Sequence, residues 1–368
     1  MNRPFRFRPS PLAAGLMGLT MLLAAGSASA TVSFLTFIKA IDINATLGQN
    51  NTIAITYAGD KFVGTVYFGP NNLQLYQSDL SGGNVQKFGT PMPTGGGEPV
   101  VAAGLGQAGF AAGAIYASGS DTKIYRYAAN GGAPVLFGST DDGSGVRQIF
   151  FDPGSSFGGV MIVTTTSGHV LSFDAGGTRS LIANVHEDTE GMDIASANYG
   201  QYAGQLLVAS EGSGKIRAIK ADGTVTDLQL LNVGGSAMAI PVAETVSTVP
   251  LDLGLSGNPL EGFYVANYAS DVQKADASQF AGLLGDTIVT SEFGSNSALW
   301  DLHYNGDLLN NFTVTQVGTL PLQSEDGIFV TAQRIRDVGQ PLPEPGMPAL
   351  AAAALLALGG ASRYRRKG

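Results

Sequence analysis

Apolar and polar residues alternate with period two in short runs over most of this chain, and the runs recur in a fixed order. One strand-like run opens on a glycine, a second follows within about ten residues, and a Gly-Gly, Asp-Gly or Asn-Gly pair closes the unit. The copies read Gly64-Thr-Val-Tyr-Phe with Leu73-Gln-Leu-Tyr, then Gly113-Ala-Ile-Tyr-Ala with Lys123-Ile-Tyr-Arg-Tyr. They continue as Gly159-Val-Met-Ile-Val with His169-Val-Leu-Ser-Phe, and Gly204-Gln-Leu-Leu-Val with Lys215-Ile-Arg-Ala-Ile. The last is Gly285-Asp-Thr-Ile-Val with Ala298-Leu-Trp-Asp-Leu. Each is preceded or followed by a further short run, such as Gln148-Ile-Phe-Phe before the third copy and Leu181-Ile-Ala after it.

Four antiparallel strands in about 46 residues predict the blades of an all-β propeller between roughly Asn51 and Val330. Five blades are legible, and a longer gap separates the fourth copy from the fifth. Glu325-Asp-Gly-Ile-Phe-Val330 reads as an inner strand without a blade of its own. Paired with N-terminal residues between Val32 and Ile43 it would close the ring as a sixth blade and remove two exposed sheet edges. Six blades are therefore expected, with five or seven as the alternatives. A parallel β-helix would need repeats near 20 residues, which the sequence lacks, and a pair of β-sandwiches would not need so regular a period. The blade pattern resembles the divergent propellers of NHL-like and gluconolactonase-like proteins, in geometry and not through a signature motif.

Composition supports many turns and no long helices: 51 of 368 residues are glycine, 44% are apolar and only 13% are charged. There is no cysteine, which excludes disulfides, thiol nucleophiles and thiolate metal sites. The two ends each carry a cluster of basic residues beside an apolar run. Arg3, Arg6 and Arg8 precede an apolar stretch from Leu12 to Ala25, and Ala28-Ser29-Ala30 supplies the small residues of a signal-peptidase site, with cleavage beside Ala30. At the other end Pro343-Glu344-Pro345 is followed by an apolar run from Gly346 to Ala361 and by Arg363, Arg365, Arg366 and Lys367. As a helix, this run is roughly 25 Å long, the low end of a bilayer span, and the cations behind it would stay cytoplasmic. A plain membrane anchor or a buried apolar helix would also be apolar, but a buried helix would not need four cations directly after it.

This tail resembles the PEP-CTERM sorting signal of Gram-negative bacteria that make extracellular polysaccharide. The resemblance implies an exosortase-type processing enzyme as partner, transient attachment to the inner membrane through the C-terminal helix, and delivery to the cell surface or matrix. The expected organisation is a signal peptide over 1–30, the propeller over 31–340 and the sorting segment over 341–368. Setting aside the basic residues of both ends and Glu344 turns the formal charge of −9 into about −15 for the exported part. Such a field excludes nucleic acid as partner and favours divalent cations.

Aligning the copies places Glu98, Glu190, Glu244 and Glu325 at or just before successive innermost strands. Equivalent positions in a propeller converge on one mouth of the central channel, so these carboxylates are expected to gather there, with Asp188 and Asp326 as additional members. Carboxylates brought together need a neutralising cation, and hard oxygen donors suit Ca²⁺. Solvent-facing strand caps are the plainer reading of the same residues. No catalytic motif accompanies them. His169, His186 and His303 are scattered, and no nucleophile elbow or phosphate loop is present. Three functions remain open: a non-catalytic surface protein binding exopolysaccharide or a protein partner, a Ca²⁺-dependent lactonase-like hydrolase, and a lectin. Aromatics in the segment from Gly262 to Phe280 are a candidate sugar platform if that segment projects from a blade, and core residues if it does not.

Overall fold

The computed structural model describes residues 34–48, 51–67, 73–268, 270–292 and 297–339. Among the described residues twenty-five strands form six sheets, five of four strands and one of five, antiparallel except for one short added strand, in a six-bladed β-propeller. From the innermost strand outwards, blade 1 consists of Thr52–Tyr57, Phe62–Val66, Leu75–Ser78 and Gln86–Phe88. Blade 2 starts at Val100–Ala103, blade 3 at Val146–Phe151 and blade 4 at Met192–Ile194, and each continues outwards in chain order.

The last two blades are interleaved. The innermost strand of blade 5, Ala243–Thr248, is followed in the chain by Gly262–Tyr268 and Val272–Asp276, which are the two middle strands of blade 6. The chain then returns to complete blade 5 with Thr287–Ser291, Ser297–Tyr304 and Phe312–Leu320 before laying down Gln323–Val330, the innermost strand of blade 6. Ile38–Ile41 pairs with Val272–Asp276 as the outermost strand of blade 6, so the N-terminal residues close the ring in a sixth blade as expected, but they do not pair with Gln323–Val330, from which the hairpin of Gly262–Tyr268 and Val272–Asp276 separates them. The segment from Gly262 does not project from a blade. Phe263 is fully buried and Tyr264 is 4% exposed, so they are core residues and no sugar platform. Leu230–Asn232 adds a short parallel strand to the outer edge of blade 5.

Six apolar clusters fill the six gaps between neighbouring blades. Phe110, Tyr116, Phe151 and Phe173 meet between blades 2 and 3, for example, and Tyr199, Tyr202, Tyr304 and Phe312 between blades 4 and 5. Every sheet is thus covered on both faces. This is why the second strand of blade 3, Met161–Thr165, is buried at all five positions while alternation survives in outer strands such as Lys123–Ala128. Hairpin turns follow the expected chemistry. In the turn closing blade 3 the Asp174 carboxylate accepts from the Gly176 and Thr178 amides, and Gly177 takes φ +84°.

The channel-facing edges of the inner strands would carry unpaired amides, and side chains from the neighbouring blade satisfy several of them. Asp326 accepts from Ile55 N–H at 3.0 Å, Thr56 from Ala103 N–H at 3.1 Å and Asp193 from Thr248 N–H at 2.8 Å. Among the described residues two buried hydroxyls are left over, those of Tyr76 and Ser324. Tyr76 lies across from Gly64, where a Cβ would come within 2.3 Å of its Oη, and that oxygen has no hydrogen-bond partner. Tyr76→Phe is therefore expected to leave stability unchanged or raise it by about 1 kcal/mol, since it removes a desolvated hydroxyl and keeps the ring. Denaturant unfolding checks this, and a clear loss of stability would reveal a bond to that oxygen.

Candidate functional site at the channel mouth

All six innermost strands line a central cavity of about 390 Å³. They enter it at one end with acidic residues and leave it at the other, where Thr331, Gln333 and Arg334 lie at the start of the helix Ala332–Gly339. Irregular pairing positions the side chains at the entry end. The ladder of blade 3 shifts between Val146 and Gln148, and that of blade 5 between Ala243 and Val246. Arg147 and Glu244 occupy these bulges, which turn their side chains into the mouth.

Glu98, Glu190, Glu244 and Glu325 all line this cavity. They do not form one set. Glu98 and Glu325 join Glu292, with one carboxylate oxygen of each within 4.8 Å of the others. Glu190 joins Asp188 and Glu211 in a second triad with the same spacing. Arg147 spans the two: its Nη1 is 2.9 Å from Glu98, its Nη2 2.5 Å from Asp188 and its Nε 3.1 Å from Glu190. The second triad is thereby matched by a guanidinium at two of its three members. In the first, only Glu98 is matched, and Glu292 receives a hydrogen bond from the Gln323 amide at 3.2 Å. Glu244 is 7% exposed, and no side chain among the described residues hydrogen-bonds or ion-pairs with its carboxylate. Asp326, expected at the rim, lies deeper and is engaged by the Ile55 and Gly327 amides.

Burial and mutual repulsion govern the titration of this ring. Burial, then Glu292, Glu98 and other carboxylates push Glu325 up to about 9. Burial and the charges of Glu211 and Glu98 push Glu292 up to about 7. Glu244 is driven well above the carboxylate range by burial and by Glu190, Glu325, Glu292 and Glu98, and burial raises Glu190 against the pull of Arg147. Burial opposes the charge of Arg147, but Asp188, Glu190 and Glu98 outweigh it and hold the guanidinium protonated.

A carboxyl whose folded pKa lies above its unfolded value binds more protons in the native state, so stability falls as pH rises from the unfolded value towards the folded one. For Glu292 and Glu325 that window runs from the ordinary glutamate value of 4.5 to about 7 and about 9 respectively. Metal-free protein should lose stability progressively across it, whereas a divalent cation replaces the protons and should stabilise more at pH 8 than at pH 5.5. Melting curves with chelator and with Ca²⁺ at both pH values check this. An equal Ca²⁺ effect at both would show that these carboxyls are not involved.

Sequence reasoning did not find Arg147, Glu211 or Glu292. The two glutamates carry a usable signal: each follows a serine that ends the second strand of its blade, Ser210-Glu211 in blade 4 and Ser291-Glu292 in blade 5. His169 and His303 are not among the residues lining the mouth. His169 contacts Asp142 and Ser167 through the same ring nitrogen, and His303 faces Asp286 at 3.1 Å, both on third strands of their blades.

No family model matches the chain, and no curated protein matches it in sequence. Among solved structures it is similar to a streptogramin B lyase, with 11% identity, a TM-score of 0.46 and coverage of 80% of this chain and 92% of that one. Virginiamycin B lyase from Staphylococcus aureus gives 11% identity and 0.43, covering 76% and 88%. The WD40 propeller domain of Doa1 gives 14% and 0.44, covering 80% and 90%.

Proposed function

We propose that this protein is an exported β-propeller, sorted to the cell surface or extracellular matrix through a PEP-CTERM tail, whose acidic channel mouth binds Ca²⁺ and presents it to an extracellular ligand, exopolysaccharide or a protein partner. The single observation that supports the ion site best is the triad of Glu98, Glu292 and Glu325. Three carboxylates from three blades stand within 4.8 Å of one another with one guanidinium contact among them, and Glu244 lies unpaired nearby. Carboxylate oxygens at this spacing suit the flexible shell of Ca²⁺, which accepts six to eight oxygen ligands. Arg147 takes the place of a second ion at the other triad.

The test is calorimetric titration of the purified protein with Ca²⁺. The expected result is one ion bound per chain, with at least about tenfold weaker binding in Glu292→Gln. No heat and no melting shift at millimolar ion would dismiss the site. A hydrolytic use of the same ion would make Glu190 the candidate general base, and turnover of a lactone that disappears in Glu190→Gln would establish it.

The export reading rests on sequence. The proposed signal peptide and the tail, including Pro343, Glu344, Pro345 and the cations Arg363 to Lys367, lie outside the described residues. Among the described residues no helix is long and apolar enough to cross a membrane. Replacing Pro343-Glu344-Pro345 with alanines should leave an unprocessed, membrane-retained form, followed by mass and fractionation. Unchanged processing and delivery would defeat the sorting assignment.

A further inference from the structure

Two tyrosines stand at the end of the sheets where the inner strands of blades 1 and 6 begin, Tyr67 donating its amide to Asn51 O and Tyr268 lying opposite Gln323. Tyr67 directly follows the second strand of blade 1, and Tyr268 ends the second strand of blade 6. Both are half-buried, and their ring centroids are 6.3 Å apart at a tilt of 53°. Across the ladder of blade 6 from Tyr268, the Gln323 side-chain amide donates to Glu292 of the triad at 3.2 Å. An aromatic pair thus flanks the set of carboxylates that has the least counter-charge.

We propose that the mouth recognises a neutral sugar, with a vicinal diol completing the coordination of an ion held by Glu98, Glu292 and Glu325 while the apolar face of the ring packs on Tyr268 and Tyr67. This rests on the ion-binding reading above. Three carboxylates leave part of a Ca²⁺ shell open towards solvent, and only oxygen donors fill it well. A pyranose offers adjacent hydroxyls on one side and a C–H face that suits an aromatic ring on another. The remaining carboxylates decide between neutral and acidic sugars. Glu98, Glu292 and Glu325 as ligands already carry one negative charge more than Ca²⁺ neutralises, and Asp188, Glu190, Glu211 and Glu244 crowd the same mouth, so an incoming uronate would meet repulsion that a neutral ring avoids.

The experiment is saturation-transfer NMR on the whole exported protein with methyl mannoside and galacturonate as probes, each in Ca²⁺ and in chelator, beside Ca²⁺ titration of the same samples. The expected result is transfer to methyl mannoside only with Ca²⁺, weakened about tenfold in Tyr268→Ala and restored in Tyr268→Phe, with Ca²⁺ affinity unchanged in both variants. Ca²⁺ binding without transfer to the neutral sugar overturns this inference and leaves the ion site standing. Stronger transfer to galacturonate, or transfer that persists in chelator, overturns it as well. Absence of Ca²⁺ binding removes the ion reading and this inference together.

Discussion

Gly191→Ala is expected to cost about 3 kcal/mol or more of folding stability. A Cβ at Gly191 would come within 2.4 Å of Glu244 O, 2.4 Å of Val246 N and 2.5 Å of Thr245 Cα, all atoms of the blade 5 inner strand or of the residues next to it. Backbone cannot rotate away as a side-chain tip does. Gly191 is also fixed from two sides, its amide donating to Glu244 O at 2.7 Å and its carbonyl accepting from Ala209 N–H at 3.0 Å. The new methyl must therefore part blades 4 and 5 at the channel mouth, moving Glu190 and Glu244 with them. Gly212→Ala is the control, since nothing lies within 4 Å of its Cβ position, and it should be neutral or slightly stabilising. Urea unfolding of both variants measures the difference. A Gly191→Ala protein within about 1 kcal/mol of the parent would show that the blades do not approach this closely.

Arg147→Met should cost about 3 kcal/mol in the presence of chelator, because it leaves Glu98, Asp188 and Glu190 without their shared counter-charge. The guanidinium is 19% exposed and its partners range from 7% to 33%, so water screens part of the loss and the upper end of the range for buried pairs is not reached. Methionine keeps most of the volume, which separates charge from packing. Added Ca²⁺ should recover much of the stability by entering the triad of Asp188, Glu190 and Glu211 that Arg147 leaves, so this variant is expected to bind a second ion. Denaturant curves in chelator and in Ca²⁺ check both statements, and a variant as stable as the parent in chelator would show that the guanidinium does not hold the mouth together.

Sequence periodicity revealed the blades whose four strands are consecutive and the consecutive outer strands of blade 5, and it hid blade 6. Blade 6 is assembled from Ile38–Ile41, the hairpin from Gly262 to Asp276, and Gln323–Val330, so no stretch of sequence contains it. The longer gap after the Gly204 copy arises because the chain builds the middle of blade 6 before finishing blade 5. Its aromatics, Phe263 and Tyr264, are apolar residues on a strand covered on both faces, and only the tertiary arrangement tells them from a surface platform. The acidic mouth was legible through Glu98, Glu190, Glu244 and Glu325 because inner strands repeat in register. Their division into two triads was not. It depends on Arg147, which occupies a bulge and has the opposite charge from the aligned residues, and on Glu211 and Glu292 arriving from second strands.

The ion site is tested most directly by anomalous diffraction from crystals of the protein grown with Mn²⁺ or a lanthanide in place of Ca²⁺. The predicted result is one strong peak at the channel mouth, coordinated by Glu98, Glu292 and Glu325, with Arg147 still clasping Asp188 and Glu190. A mouth without a peak, or a peak only between Asp188, Glu190 and Glu211 with Arg147 displaced, would contradict it.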